Sequence, residues 1–168
     1  MSMGIRYYAY PITADEYLLA LERPRAFIGD DPLMDAWGPI LEQPEMLYLD
    51  KCWSDLQLLL GPLDGQPERP AFQLVDGQVT HIETGWIPFE RVLSPAQVQE
   101  VAADLATVTD TDVRRIAALY PRSNAAAWTS DLDDVEIERE YIAHHLAAAQ
   151  SFTARLASDG RGLVYLIG

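Results

Sequence analysis

The chain has a single cysteine, Cys52, among its 168 residues. No intrachain disulfide can form, so stability has to come from a packed core. A chain of this length buries roughly 70% of the surface it exposes when unfolded, which makes disulfides and structural metals unnecessary. Basic residues are also scarce. Twelve Lys and Arg face 26 Asp and Glu, for a formal charge of −14. A field of that sign repels phosphate backbones and anionic lipid, so neither nucleic acid nor membrane is an expected partner.

Long apolar runs are missing. No stretch approaches the ~18 residues of a membrane span. Met1 to Tyr10 lacks the apolar segment of a secretory signal. The expectation is a soluble cytoplasmic protein. Also missing are a glycine-rich phosphate loop followed by lysine, a serine elbow and a distinctive carboxylate pair. Three histidines and one cysteine are too few soft ligands for a closed zinc site. No metal, no cofactor and no catalytic residue set is expected. Cys52 lies on an apolar stretch with no base beside it and reads as a small core residue.

What is present is the composition of a globular protein, 49% apolar and 10% aromatic. Its length suggests one domain over residues 1–168. The oligomeric state is left open. The organising stretch is Leu47 to Gly61. Leu49, Cys52, Trp53, Leu56, Leu59 and Leu60 recur at helical spacing, with Leu58 widening the face. Asp50 is placed to cap this helix and Gly61 to end it in a left-handed conformation. Trp53 is expected to anchor the core.

Taken in order, Gly4 to Tyr10 reads as a strand closed by Pro11. Thr13 and Glu16 form a capping box for a helix with Ala14, Tyr17, Leu18 and Leu21 on one face, and Pro24 ends it. Gly29 to Glu45 is irregular, a packed connector or a lid anchored by Met34, Trp37, Ile40 and Leu41. Asp76-Gly77 between Ala71–Val75 and Gln78–Ile82 reads as a hairpin turn. Gly85 to Leu93 adds an extended segment. Ser94 to Gln97 is a second capping box, opening a helix on Val98, Val101, Ala102 and Leu105. A short helix carries Val113, Ile116, Ala117 and Tyr120. Trp128 anchors the loop that follows. The last helix, about Asp133 to Ser158, buries Val135, Ile142, His145, Ala149, Phe152 and Leu156. Gly160 stops it, and Leu163 to Ile167 is an apolar strand of the kind buried on both faces.

Several of these pieces coincide with one family. They are Met3-Gly4-Ile5 before an aromatic strand, Leu49-Asp50-Lys51-Cys52-Trp53 with Leu56 and Gly61, and Leu93 to Val98. Leu119-Tyr120-Pro121 and the closing helix, Gly160 and strand complete them. In order and spacing the chain resembles the YfbM-like family, domain of unknown function 1877, over nearly its whole length. It departs from the pattern at Gly29–Glu45 and Pro62–Gln78. The resemblance implies a compact α+β domain found mostly in bacteria. It brings no established activity and no catalytic residues. The fold expected is α+β, with a mixed or mostly antiparallel sheet holding both terminal strands as neighbours and about five helices packed against it.

Glu136, Glu140 and His144 line up one turn apart, but only His81 remains elsewhere to complete a metal site, so the row reads as a solvated face. Two functions from different classes stand. The first is a non-enzymatic, immunity-like module that binds a basic protein partner. Its surface would be the acidic start of the last helix: Asp131, Asp133, Asp134, Glu136, Glu138 and Glu140. The second is a small-molecule-binding protein or enzyme with an aromatic-lined cleft at Trp37, Tyr48, Asp50, Trp53 and His145.

Overall fold

A computed structural model describes residues 4–62, 67–119 and 134–168. Both terminal strands lie side by side in one antiparallel sheet, as expected. β1 (Tyr7–Ile12), β2 (Leu47–Asp50), β5 (Phe89–Leu93) and β6 (Gly162–Ile167) are ordered β2-β1-β6-β5. β6 is buried along its whole length. Helices cover both sheet faces, so β1 and β6 carry no polar alternation. Tyr7, Ala9, Leu163, Tyr165 and Ile167 face the larger core. Tyr8, Tyr10, Ile12, Val164 and Leu166 face the smaller one. Pro11 does not close β1; it pairs with Leu163 inside the strand. Arg6 and Gly168 exchange backbone hydrogen bonds, so in an antiparallel ladder the odd residues of β1 point their N–H groups at β2. The last of these with a β2 partner is Ala9, opposite Leu47. Pro11 lies beyond it, where no donor is needed.

The larger core is closed by α3 (Trp53–Leu60), α4 (Pro95–Leu105), α5 (Asp110–Leu119) and α6 (Asp134–Ser158). With α1 (Tyr17–Glu22) and α2 (Pro32–Trp37) on the other face, the described residues hold six α-helices against about five expected. The Ser94–Gln97 capping box is in place, with Ser94 N–H donating to Gln97 Oε1 at 2.8 Å. Val98, Val101, Leu105, Val113, Ile116 and Ala117 are buried. α6 ends at Gly160, whose φ of 64° is left-handed. There Arg161 N–H reaches back to the Leu156 carbonyl at 2.9 Å, as a glycine-terminated helix requires.

Four local expectations are corrected. Leu47 to Gly61 is not one helix. Leu47 and Leu49 alternate with Tyr48 and Asp50 as β2, and α3 starts only at Trp53. Asp50 caps nothing; the cap position is Cys52, without a side-chain bond. Gly61 is extended, and its lack of a side chain serves instead a close approach to the Gln57 carbonyl. Second, Asp76-Gly77 is not a hairpin turn. Pro70–Leu74 is a 3-10 turn whose carbonyls, and those just after it, are taken by side chains from the core. Tyr7 Oη donates to Leu74 O at 2.8 Å, Gln57 Nε2 to Val75 O at 2.6 Å and Tyr165 Oη to Asp76 O at 2.6 Å. The hairpin lies further on, β3 (Thr80–Ile82) with β4 (Gly85–Ile87). Third, α1 buries Ala20, while Leu18 and Leu21 face solvent. The Thr13–Glu16 box opens a 3-10 turn, whose tighter winding shifts the register of the helix behind it. Fourth, Val135 is exposed. Gly29–Glu45 resolves into α2 and a 3-10 turn, Ile40–Glu42. Tyr120, Pro121 and Trp128 lie outside the described residues.

Candidate functional site

β2 ends on Asp50 with φ at 49°, the one left-handed non-glycine residue described. Aspartate tolerates that conformation better than most residues, yet it still costs about 1 kcal/mol. Three side chains from separate parts of the chain hold it there. Arg6 Nε donates to Oδ1 at 3.1 Å, Tyr48 Oη to Oδ1 at 3.0 Å, and Tyr141 Oη to Oδ2 at 3.1 Å. The Asp50 side chain is still 30% exposed. The Arg6 guanidinium lies 5.7 Å from the centre of the Trp37 ring, and Trp37 donates toward the Tyr48 hydroxyl. Burial, then the Asp50 charge, pushes the Tyr48 and Tyr141 hydroxyls well above the ordinary tyrosine range. Both act at neutral pH as donors only to this carboxylate.

His145 closes the cluster from α6. Its ring meets Tyr141 edge-on at 4.9 Å and it bonds the backbone of Tyr48. Burial, then His144, holds it below the usual histidine value, so it is neutral at pH 7. Its Nδ1 has no hydrogen-bond partner among the described residues. Of the aromatic-cleft set, Trp37, Tyr48, Asp50 and His145 therefore meet around one carboxylate. Trp53 sits at the edge: it is buried in the core and donates Nε1–H to the Ile5 carbonyl at 3.2 Å.

Behind this cluster lie two carboxylates the sequence reading placed elsewhere or passed over. Asp55 on α3 is 4% exposed and Glu138 on α6 is fully buried. Burial, reinforced by the Glu138 charge, raises Asp55 from 3.8 to about 7. Asp55 Oδ2 has no hydrogen-bond partner among the described residues. The same surroundings push the Cys52 thiol up, burial first and then the neighbouring acids, which keeps it protonated and a poor nucleophile. A signal for Glu138 was present. The α6 stripe of Val135, Ile142, His145, Ala149, Phe152 and Leu156 skips a turn after Val135, and Glu138 fills the gap at 3-4 spacing. For Asp55 the signal was its place three residues after Cys52 and four before Leu59.

The acidic start of α6 is less uniform than its sequence. Asp131 and Asp133 lie outside the described residues, and of Asp134 only the backbone is described. Glu138 is a correction: it turns into the core instead of joining the row. Glu136 accepts from Arg139 Nη2 at 2.6 Å, and Arg139 also reaches Asp110 at 3.0 Å. The bond from Arg139, then its charge, holds the Glu136 carboxyl below the usual range. Glu140 remains at the surface, 3.9 Å from Arg139. Among the described residues no group of three His, Cys, Asp or Glu side chains is arranged to hold a metal ion. No described helix is long and apolar enough to cross a membrane.

A family model described as a domain of unknown function, DUF1877, matches residues 1–166. The chain is also similar to a solved structure described as a protein of unknown function, YfbM, from Escherichia coli. The two share 14% identity at a TM-score of 0.59, over 98% of this chain and 100% of the other. At that identity the likeness shows the fold alone. No curated protein matches the chain.

Proposed function

The chain belongs to the DUF1877 family, and because that membership brings a fold and no activity, we propose from its surface that it is a non-enzymatic recognition module for a basic protein partner. The carrying observation is how its own cations are spent. Among the described residues every arginine except Arg23 has an ion pair with a carboxylate of this same chain. Even complete internal pairing leaves a surplus of 14 acids over bases. That surplus costs self-repulsion, and a complementary partner relieves it while speeding encounter. The acids of α6, Glu136 and Glu140 with Asp131, Asp133 and Asp134 before them, belong to this reading; buried Glu138 does not. With a partner cross-linked and identified from the native host, association is expected to slow as salt rises. Glu136→Gln with Glu140→Gln is expected to slow it at low salt. An association rate indifferent to salt rules this function out.

The second reading, a small-molecule site, is favoured by the left-handed, partly exposed Asp50 and the bare Nδ1 of the neutral His145 beside it. Backbone strain held by converging side chains is a common mark of a ligand site. A ligand found by thermal shift should lose its effect in Asp50→Asn. A full effect in that variant removes this cluster from consideration.

A further inference from the structure

The covering of the smaller core is apolar on its outer side as well. On α1, Leu18, Leu19 and Leu21 face solvent. On α2 and the turn after it, Met34, Trp37, Ile40 and Leu41 do the same, Trp37 at 61%, Ile40 at 86% and Leu41 at 100% exposed. Elsewhere among the described residues the exposed large hydrophobics are only Leu58, Ile82, Ile87 and Val135. Single exposed apolar residues are ordinary; four within eight positions are not.

These side chains are not turned outward by looseness. The inner side of α2 packs Leu33 and Ala36 on the smaller core. Tyr10 Oη donates to Asp35 Oδ2 at 2.7 Å, and Asp31 accepts from Met34 N–H at 3.1 Å. Gln43 Nε2 ties the following turn by donating to Ala36 O at 3.0 Å and Gly38 O at 2.9 Å. The apolar face is thus fixed before anything binds, which lowers the ordering cost of binding.

The charge around it selects the occupant. Residues 15–45 hold eight acids and two bases, Arg23 and Arg25. Arg25 is paired with Glu90 at 2.8 Å, Arg155 and Arg161 reach in to Glu45, and Arg6 lies over Trp37, so acids still prevail around the face. A second copy would bring eight acids against eight. An anionic lipid surface would be repelled in the same way. A segment with one apolar and one basic side satisfies both the hydrophobic side chains and the acids around them. We propose that the face formed by Met34, Trp37, Ile40 and Leu41 docks a basic amphipathic segment of a protein partner; this rests on the basic-partner reading above.

The probe is a fluorescein-labelled helical peptide with one lysine face and one leucine face, followed by anisotropy at about 0.15 M salt. Beside it run a lysine–serine peptide of equal charge and a glutamate–leucine peptide with the same apolar face. The lysine–leucine peptide is expected to bind saturably, and the other two at least about tenfold more weakly. Ile40→Ser with Leu41→Ser should weaken it by at least about tenfold. That pair does not threaten folding, since both side chains are almost wholly in solvent. Ile82→Ser with Ile87→Ser, on the β3–β4 hairpin, should leave binding within about twofold. Unchanged binding by the Ile40 and Leu41 variant overturns the proposal. Equal binding of the lysine–serine peptide also overturns it while the basic-partner reading stands. If no basic peptide binds, both fall. A dimer in sedimentation that Ile40→Ser with Leu41→Ser dissolves makes a second copy the occupant, and overturns it too.

Discussion

Asp55 carries its proton well into the neutral range because α3 and α6 enclose it beside Glu138. Its folded value, about 7, exceeds the ordinary 3.8, so the folded state holds this proton more tightly than the unfolded state does. The contribution to stability is complete below the ordinary value and is lost as pH rises to about 7. Asp55→Asn has no proton to lose. It should therefore be more stable than wild type at pH 8, with the gap closing as pH falls toward about 4. Urea midpoints across that range measure this; a gap independent of pH would falsify the assignment. Trp53 is the other decisive residue, and here the spacing of apolar residues was sufficient. Trp53→Ala should cost about 3–5 kcal/mol. Trp53→Phe, which keeps one aromatic ring but loses the rest of the indole and the bond to Ile5, should cost less, about 1–3 kcal/mol. Near-equal losses in the two variants would mean the part of the indole that Phe lacks, not the packing of the shared ring, sets the effect.

At the scale of elements, the capping boxes were the most legible signal and strand-to-helix passages the least. The Ser94 box is local chemistry, complete within four residues, and Ser94→Ala should cost about 1 kcal/mol by thermal melting. The passage from β2 into α3 is different. Leu47 and Leu49 alternate while Leu49 and Cys52 stand at helical spacing, so over so few positions neither pattern prevails. The pairing of Tyr8 with Tyr48 and of Ala9 with Leu47 decided for the strand. Asp50 then takes the turn that a helix cap would have taken from the other side. Replacing it tests both of its roles. Asp50→Gly removes three side-chain bonds but relieves the left-handed backbone, and Asp50→Ala removes the bonds and keeps the strain. The alanine variant should be the less stable by about 1 kcal/mol. Equal stability would mean that the turn relaxes when the carboxylate is gone.

For the molecule as a whole, β6 should be the last element to open. It has β1 on one side, β5 on the other and a core on each face. Amides of Gly162 to Ile167 should exchange only through global unfolding, whereas those of the β3–β4 hairpin, with Thr80 to Ile82 exposed, should exchange far faster. Hydrogen exchange resolved by residue checks this, and fast exchange in β6 would contradict its central place.

The sequence alone determined the elements whose causes are local or nearly periodic. These are the two capping boxes, the glycine end of α6, the stripes of α4 and α5, the apolar run of β6 and the surplus of negative charge. It also supplied Trp37, Tyr48, Asp50 and His145 of the Asp50 cluster, but neither Arg6 and Tyr141 nor the geometry. Only tertiary structure decided the rest, because each remaining choice depends on partners far away in the chain. Tyr141 reaches Asp50 across 91 positions and Tyr165 takes the Asp76 carbonyl across 89. Glu138 falls on the stripe of α6, three residues after Val135 and four before Ile142, but that it meets the buried Asp55 there is decided by packing. Periodicity states which residues share a face. Which face meets the core, and what waits there, is fixed by packing.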